Sequence, residues 1–407
     1  MLNQHFSSKN FMRLLTRQDI FKYDMGAGGD DYRAKLATVE ESISKSTYTF
    51  SDFKKNVMAH GEVFSPQNIT DEFALRKLND NIKRVFNIKT TDRNSILPQI
   101  KVLLAESCEF WLQKLDITKF FESIPRAKAL DLAYKDHRLS FESKKILEKL
   151  FSNLELCKYA GLPRGISLSS TLSELYMREF DASCRSLPGC YFYTRYVDDI
   201  FMLFCEDPGD IAKNIYLPDG LSFHSKKCVS LHHSHRGPVS TSDGGSSVTY
   251  LGYEFNFLSE SKDKPTTLQV GIATKKIKKI KTRIMLALFE FCKTKDFALL
   301  KSRLTFLASN YNIGKDPARG KLYAGVHFNH LLIDKERHCD LIGIDIFLQK
   351  ALCSKSGSLG RRLWPLLSVN ERRELLKISL MQGFQQKIVR PFKPEHLMEI
   401  KRVWGHV

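Results

Sequence analysis

Three aspartates carry the chemistry that this sequence is best equipped to do. Asp198 and Asp199 are adjacent in Tyr196-Val197-Asp198-Asp199, and Asp116 stands far upstream in Leu115-Asp116-Ile117-Thr118-Lys119-Phe120-Phe121. A carboxylate at the end of a buried strand is costly unless its charge is compensated. Two more at a tight turn repeat the problem. If strand and turn lie side by side, mutual repulsion calls for a divalent cation, and hard oxygen ligands select Mg2+. Two such ions, about 3.5–4 Å apart, activate a 3′-hydroxyl and stabilise a leaving pyrophosphate in an in-line displacement. An isolated Asp-Asp pair ordinarily decorates a surface turn, so the reading depends on what surrounds it.

The elements that must position these acids are legible as patterns. Residues 110–117 read as a strand ending near Asp116. Residues 191–194 and 200–204 are aromatic and β-rich, and predict a hairpin with the acidic pair at its turn. Thr70-Asp71-Glu72 looks like a helix start, followed by Phe73, Leu75, Leu78 and Ile82. Ile96, Ile100, Leu103 and Leu104 give a second helical stripe, and 141–156 and 168–180 read as helices. Asp243-Gly244-Gly245 signals a turn before a strand-like run over 248–257. Beyond about residue 260 the character is helical: Ile277, Ile280, Ile284, Leu288 and Phe291 form an amphipathic face, and Ser368-Val369-Asn370-Glu371 fits a capping box. The first sixty or so residues show no strong periodicity. Their glycine-rich run Met25-Gly26-Ala27-Gly28-Gly29-Asp30-Asp31 lacks phosphate-loop spacing and reads as a flexible turn.

The chain has 407 residues, enough for two or three domains, and is 43% hydrophobic and 27% charged, which suits a folded protein. Lys plus Arg total 63 against 45 acids, giving +18, so a polyanionic partner is expected: nucleic acid first, an anionic membrane second. No apolar run reaches the roughly 18 residues of a membrane span. Met1 to Asn10 is polar and resembles no secretion leader. The nine cysteines include no Cys-x-x-Cys pair, which argues against a zinc knuckle or disulfide framework and predicts a reduced, cytoplasmic setting. His232-His233-Ser234-His235 has no carboxylate or cysteine at metal-binding spacing and reads as a loop or strand end. The stretch 275–283 carries six cations and no acid.

Taken in order, these blocks resemble a reverse transcriptase of the prokaryotic type, similar to those of group II introns, retrons and defence systems. Asp116-Ile117-Thr118-Lys119-Phe120-Phe121-Glu122-Ser123-Ile124 resembles the first catalytic block, and Gly161-Leu162-Pro163-Arg164-Gly165-Ile166-Ser167 the second. Tyr196-Val197-Asp198-Asp199 is like the Tyr-x-Asp-Asp block. Leu221-Ser222-Phe223-His224-Ser225-Lys226-Lys227 looks like the lysine-bearing block, and Leu251-Gly252-Tyr253 like the primer-grip turn. The resemblance covers roughly residues 84–260. It implies an α+β right-hand polymerase: an N-terminal segment (1–68), fingers and an antiparallel palm (69–260), and a helical thumb with a helical C-terminal region (261–407).

It also implies roles. Asp116, Asp198 and Asp199 would be catalytic, with Asp116, Ile117 and Asp198 around two Mg2+ ions and Asp199 a more peripheral metal ligand. Phe121 would lie under the sugar of the incoming nucleotide and exclude a 2′-hydroxyl, with Phe120 in the core. Arg164, where many relatives have Gln, and Gly165 would meet the nucleotide, and Lys89 and Arg93 its triphosphate. Lys227 would neutralise the departing pyrophosphate, or else be a solvated surface lysine. Lys275, Lys276, Lys278, Lys279 and Arg283 would track a phosphate backbone. Tyr311, Tyr323 and Phe328 would stack on unpaired bases or pack in the core.

The implied partners are an RNA template, a DNA product, deoxynucleoside triphosphates, and a second reverse transcriptase or a second copy of the chain. Residues 303–311 and 325–330 resemble the C-terminal region of defence-associated enzymes, of which the type 3 antiviral group pairs two reverse transcriptases with a noncoding RNA. Retron enzymes usually carry a Val-Thr-Gly triplet in the thumb; the closest match here is Val248-Thr249-Tyr250, in another context, which argues against that group. Two rivals stand beside this reading. One is a template-independent nucleotidyl transferase on the same palm; the other is an RNA-binding scaffold with a dead palm, against which the three retained aspartates argue.

Overall fold

The computed structural model describes residues 2–58, 61–153, 156, 158–234, 240–241, 246–258, 267–316, 320–334 and 339–405. The turn expected at Asp243-Gly244-Gly245 and the histidine at 235 lie outside them. The chain divides into two compact units, Met1–Arg93 with Glu109–His232, and Asn94–Cys108 with His233–Val407.

The first unit carries the acidic residues. Its N-terminal part holds three helices, Ser8–Leu14, Arg17–Lys22 and Gly29–Ser44, where weak periodicity predicted none. They are short or amphipathic on a narrow face, and local caps start them: Thr16 and Asp19 form a capping box. The glycine-rich run is a turn at Gly26 (φ 94°) that leads straight into the third helix, with the Asp31 carboxylate accepting the Ala27 and Gly28 amides. Strands β1 (Lys54–Met58) and β2 (Gly61–Ser65) form an antiparallel hairpin. The helix Ile69–Val85 follows, capped by Asn68, and buries Phe73, Leu78 and Ile82.

Within this unit the central sheet holds β3 (Phe110–Asp116), β4 (Cys190–Tyr196), β5 (Asp199–Phe204) and β6 (Val229–His233), in the order β4-β5-β3-β6. β5 pairs antiparallel with both β3 and β4. Ile200 to Phe204 are all buried, as expected of a central strand covered on both faces. Behind it run the helices Phe141–Phe151, Ser167–Tyr176 and Arg178–Arg185. The first is shorter than the expected 141–156, because Asn153 turns its side chain to the Phe50 and Ser51 carbonyls instead of continuing the helix. The helix expected over 168–180 is two helices that meet at the buried Met177.

The second unit begins with the helix Arg93–Leu104, whose Lys101 bonds Asp334 at 2.6 Å. Its strands are the two-residue β7 (Ser240–Thr241), β8 (Ser247–Tyr250), β9 (Tyr253–Leu258) and β10 (Thr267–Ile272), the last three forming a sheet of order β10-β9-β8. The strand-like run 248–257 is thus a hairpin, broken where Leu251 (φ 43°) and Gly252 (φ 83°) turn the chain. The helix Thr274–Thr294 buries Ile284, Ala287, Leu288 and Phe291 on one face and packs against Phe297–Leu307 and Cys339–Cys353. A further hairpin, β11 (Asn310–Asp316) with β12 (Gly320–Gly325), interrupts the otherwise helical C-terminal part. Four short helices complete it, the first of which, Gly357–Leu363, precedes Val369–Leu376 with its expected Ser368–Glu371 capping box. The α+β class with antiparallel sheets agrees with the expectation. Among the described residues no helix is long and apolar enough to cross a membrane.

Candidate active site

Strand alternation places the acids. β3 ends at Asp116, whose register partner on β5 is Asp199, so two carboxyl-bearing residues face each other across one strand pair. Val197 and Asp198 form the turn between β4 and β5, closed by the Tyr196–Asp199 pair. The Asp198 carbonyl accepts the Ile117 amide at 3.2 Å, which pins the turn to the end of β3. On the other side, the His224 amide donates to the Asp116 carbonyl at 2.7 Å and the Thr118 amide to Ser222 at 2.9 Å. The three aspartates therefore share one sheet end. Val197 holds φ 60° there. A β-branched residue in the left-handed region costs on the order of 1–3 kcal/mol.

Electrostatics follow from this crowding. Asp116 is 6% exposed. Burial lifts the Asp199 carboxyl to about 6, with Lys114 opposing and Asp198 and Asp116 adding to the rise. Burial, and then the Asp116 charge, raises Asp198. Lys227 bonds the trio, its Nζ lying 2.9 Å from Asp116 Oδ1; that bond raises the lysine in turn. Lys114 acts on Asp199 and Arg164 on Asp198 through space, yet burial and mutual repulsion still raise both acids. The donors are hard oxygens, so the set suits a divalent ion such as Mg2+. As the side chains stand, no three His, Cys, Asp or Glu among the described residues form a ready cation cage.

The second block lies against the first. Lys119 (φ 44°) starts the single turn Phe120–Ser123. Phe120 is buried in the core and Phe121 packs half-buried against it, ring centroids 5.3 Å apart. The Leu162 amide donates to the Phe121 carbonyl at 2.8 Å. The glycines of the block make room for protein backbone: a Cβ on Gly161 would stand 2.3 Å from the Glu122 carbonyl oxygen, and one on Gly165 2.4 Å from that of Phe64. Arg164, expected at the nucleotide, pairs with Glu122, Nε to Oε1 at 2.5 Å and Nη2 to Oε2 at 3.1 Å.

The remaining candidates separate. Lys89 is exposed between two helices, and Arg93 opens the helix Arg93–Leu104. Lys275, Lys278 and Lys279 are exposed on the helix Thr274–Thr294. Lys276 leans on the Leu251–Gly252 turn, with its Nζ 6.0 Å from the Tyr253 ring centre. Arg283 does not face outward as expected: its guanidinium is half-buried 5.7 Å from the Trp404 ring, and its carbonyl accepts the Trp404 indole N–H. Tyr311 stacks on Phe306 at 4.8 Å and Tyr323 on Phe328 at 5.0 Å, so these rings pack with protein. His232 ends a strand, as expected, stacked on Trp111 and bonded to Glu109.

Two features escaped the sequence reading. Glu122 is the partner of Arg164. Arg195 is 5% exposed and bonded to both Glu174 and Asp181; an arginine flanked by Thr194 and Tyr196 in a hairpin strand was the available signal.

Residues 72–255 match the family model described as "Reverse transcriptase (RNA-dependent DNA polymerase)", just under half of the chain. No curated protein matches the sequence. Among solved structures, the chain is similar to apo telomerase from Candida Tropicalis, with 12% identity and a TM-score of 0.38, covering 88% of this chain and 66% of that one. It is similar also to telomerase from Candida albicans in complex with the TWJ fragment of telomeric RNA, with 12% identity and a TM-score of 0.37, covering 92% and 65%. The chain thus spans slightly less than two thirds of either relative, and likeness at this level assigns nothing further to it.

Proposed function

From a chain whose residues 72–255 carry a reverse transcriptase domain, we propose an RNA-directed DNA polymerase that extends a 3′-hydroxyl with deoxynucleotides. One observation supports the reading above the others: Asp116, Asp198 and Asp199 share one sheet end, with Asp116 and Asp199 register partners and the Asp198 turn bonded to Ile117. In this reading residues 69–260 supply fingers and palm, 261–407 the thumb and helical C-terminal region, and 1–68 an N-terminal segment.

Asp116 and Asp198, with the Ile117 main chain, would hold divalent ions, and Asp199 would be the peripheral acid. Bound Mg2+ supplies charge neutralisation and lowers the pKa of a coordinated hydroxyl. The chain's own residues do the rest. The primer oxygen attacks the α-phosphorus of the nucleotide, its proton is lost to solvent, and the bond to pyrophosphate breaks. Lys227, already beside Asp116, neutralises the leaving group. Phe121 lies under the sugar and excludes a 2′-hydroxyl. Arg164 exchanges Glu122 for a phosphate, with Gly165 beside it, while Lys89 and Arg93 face the triphosphate. The exposed Lys275, Lys278 and Lys279, with Lys276, follow the backbone of the template–product duplex. The template is an RNA, and the resemblance of residues 303–311 and 325–330 to defence-associated enzymes supports a noncoding RNA copied in antiviral defence.

The test is incorporation of labelled deoxynucleotide on a primed RNA template. Asp198→Ala with Asp199→Ala should abolish incorporation while RNA affinity stays within about 2-fold, because the phosphate contacts lie elsewhere. Polymer made without template would favour a template-independent transferase. Synthesis that survives the double substitution sinks the assignment of the acids.

A further inference from the structure

The turn that carries Asp198 is strained at Val197, and a fully bonded arginine sits behind it. The Arg195 side chain is 3% exposed. A guanidinium has five N–H donors in a fixed fork, and here all five have acceptors. Nε donates to Asp181 Oδ1 at 2.8 Å, and Nη2 to Asp181 Oδ2 at 2.8 Å and Glu174 Oε2 at 2.7 Å. Nη1 donates to Glu174 Oε1 at 3.1 Å and to the Val197 carbonyl at 2.9 Å. Tyr193 adds a hydroxyl bond to Asp181 Oδ1 at 2.6 Å. Glu174 and Asp181 stand on two different helices, Ser167–Tyr176 and Arg178–Arg185. The fork is therefore fixed from two sides before it reaches the turn.

A buried ion network is weak evidence for stability alone, since apolar residues of similar volume serve as well. What this network does beyond filling space is deliver its one remaining donor to the carbonyl of the strained residue. We propose that Arg195 is a positioning residue that holds Val197 in the left-handed conformation and so keeps Asp198 beside Asp116. The kinetic consequence rests on the polymerase reading; the structural one does not.

Arg195→Lys keeps the charge but has three donors and no fork. Hydrogen–deuterium exchange should quicken about 10-fold at the Val197–Asp199 amides and little elsewhere in the sheet. Single-turnover incorporation at saturating nucleotide should fall about 10-fold or more, with the half-saturating nucleotide concentration within about 2-fold. Glycine adopts positive φ without penalty, so adding Val197→Gly to Arg195→Lys should recover most of the lost rate. Glu174→Gln keeps Arg195 in place and is the milder variant where Arg195→Lys does not fold; it should quicken the same amides about 3-fold. Exchange that quickens evenly across the sheet, with no recovery from Val197→Gly, overturns the proposal and leaves Arg195 a core ion pair. A wild-type chain that incorporates nothing strikes the polymerase reading instead, and exchange at the turn then decides the role of Arg195 by itself.

Discussion

A carboxyl group held at about 6 leaves a pH signature. Between the ordinary carboxylate value of 3.8 and about 6, the folded chain keeps a proton on Asp199 that the unfolded chain has released. Unfolding free energy therefore falls as pH rises through that window, since the folded state binds more protons. Without divalent ions, the thermal midpoint should drop by a few degrees from pH 4.5 to 6.5, and Asp199→Asn should flatten the drop. A midpoint that climbs in the wild type alone would contradict the crowding of the trio. A second residue-level test concerns Cys184, buried and raised to about 12 by burial. At pH 8 a maleimide should label the exposed Cys108, Cys205 and Cys353 within minutes and leave Cys184 untouched until the chain unfolds. Rapid labelling of Cys184 in the folded chain would show the helix Arg178–Arg185 to be loosely packed.

At the scale of elements, the segments 116–124 and 161–167 are held together by main-chain approach. Gly161→Ala places a methyl 2.3 Å from the Glu122 carbonyl oxygen, where only backbone can yield. We expect a loss of about 1–3 kcal/mol in urea unfolding. Gly29→Ala, in the first turn of its helix and with nothing within 4 Å of the added methyl, should cost nothing measurable. Equal losses for the two would rule out the close approach. The elements differ in how far residue patterns exposed them. β3 and the β4–β5 hairpin were legible because buried apolar runs end on acids, which leaves few alternatives. The N-terminal helices were not, because short caps such as Thr16–Asp19 carry little periodicity. The hairpin inside 248–257 was hidden because Leu251, an unusual residue at positive φ, makes half of its turn. At the site, the three aspartates were readable from the ordered blocks that carry them. The partners of Arg164 and Arg195 were not, because Glu122, Glu174 and Asp181 reach them from other elements, and such pairings depend on the packing of helices against the sheet.

For the whole molecule, the proposed function together with a net charge of +18 makes RNA affinity an expected, salt-dependent quantity. Binding to single-stranded RNA should weaken linearly on a log–log plot against salt, with a slope of about −0.7 per phosphate neutralised. Replacing the exposed Lys275, Lys278 and Lys279 together by Ala should flatten that slope by about 2 and leave the Asp198 site intact. An unchanged slope would mean that these lysines are solvated. The lack of outward reach by Arg283, which lies against Trp404, limits the basic face to the first two turns of its helix.

The main-chain bond from the Phe64 amide to the Arg164 carbonyl, 2.8 Å long, has a mechanical consequence. It splices β2 onto the loop that carries Arg164, and Gly165 leaves no slack between them. The β1–β2 hairpin and the main chain of Arg164 are therefore tied at one point, so a change that frees β2 also loosens the backbone from which the arginine reaches Glu122.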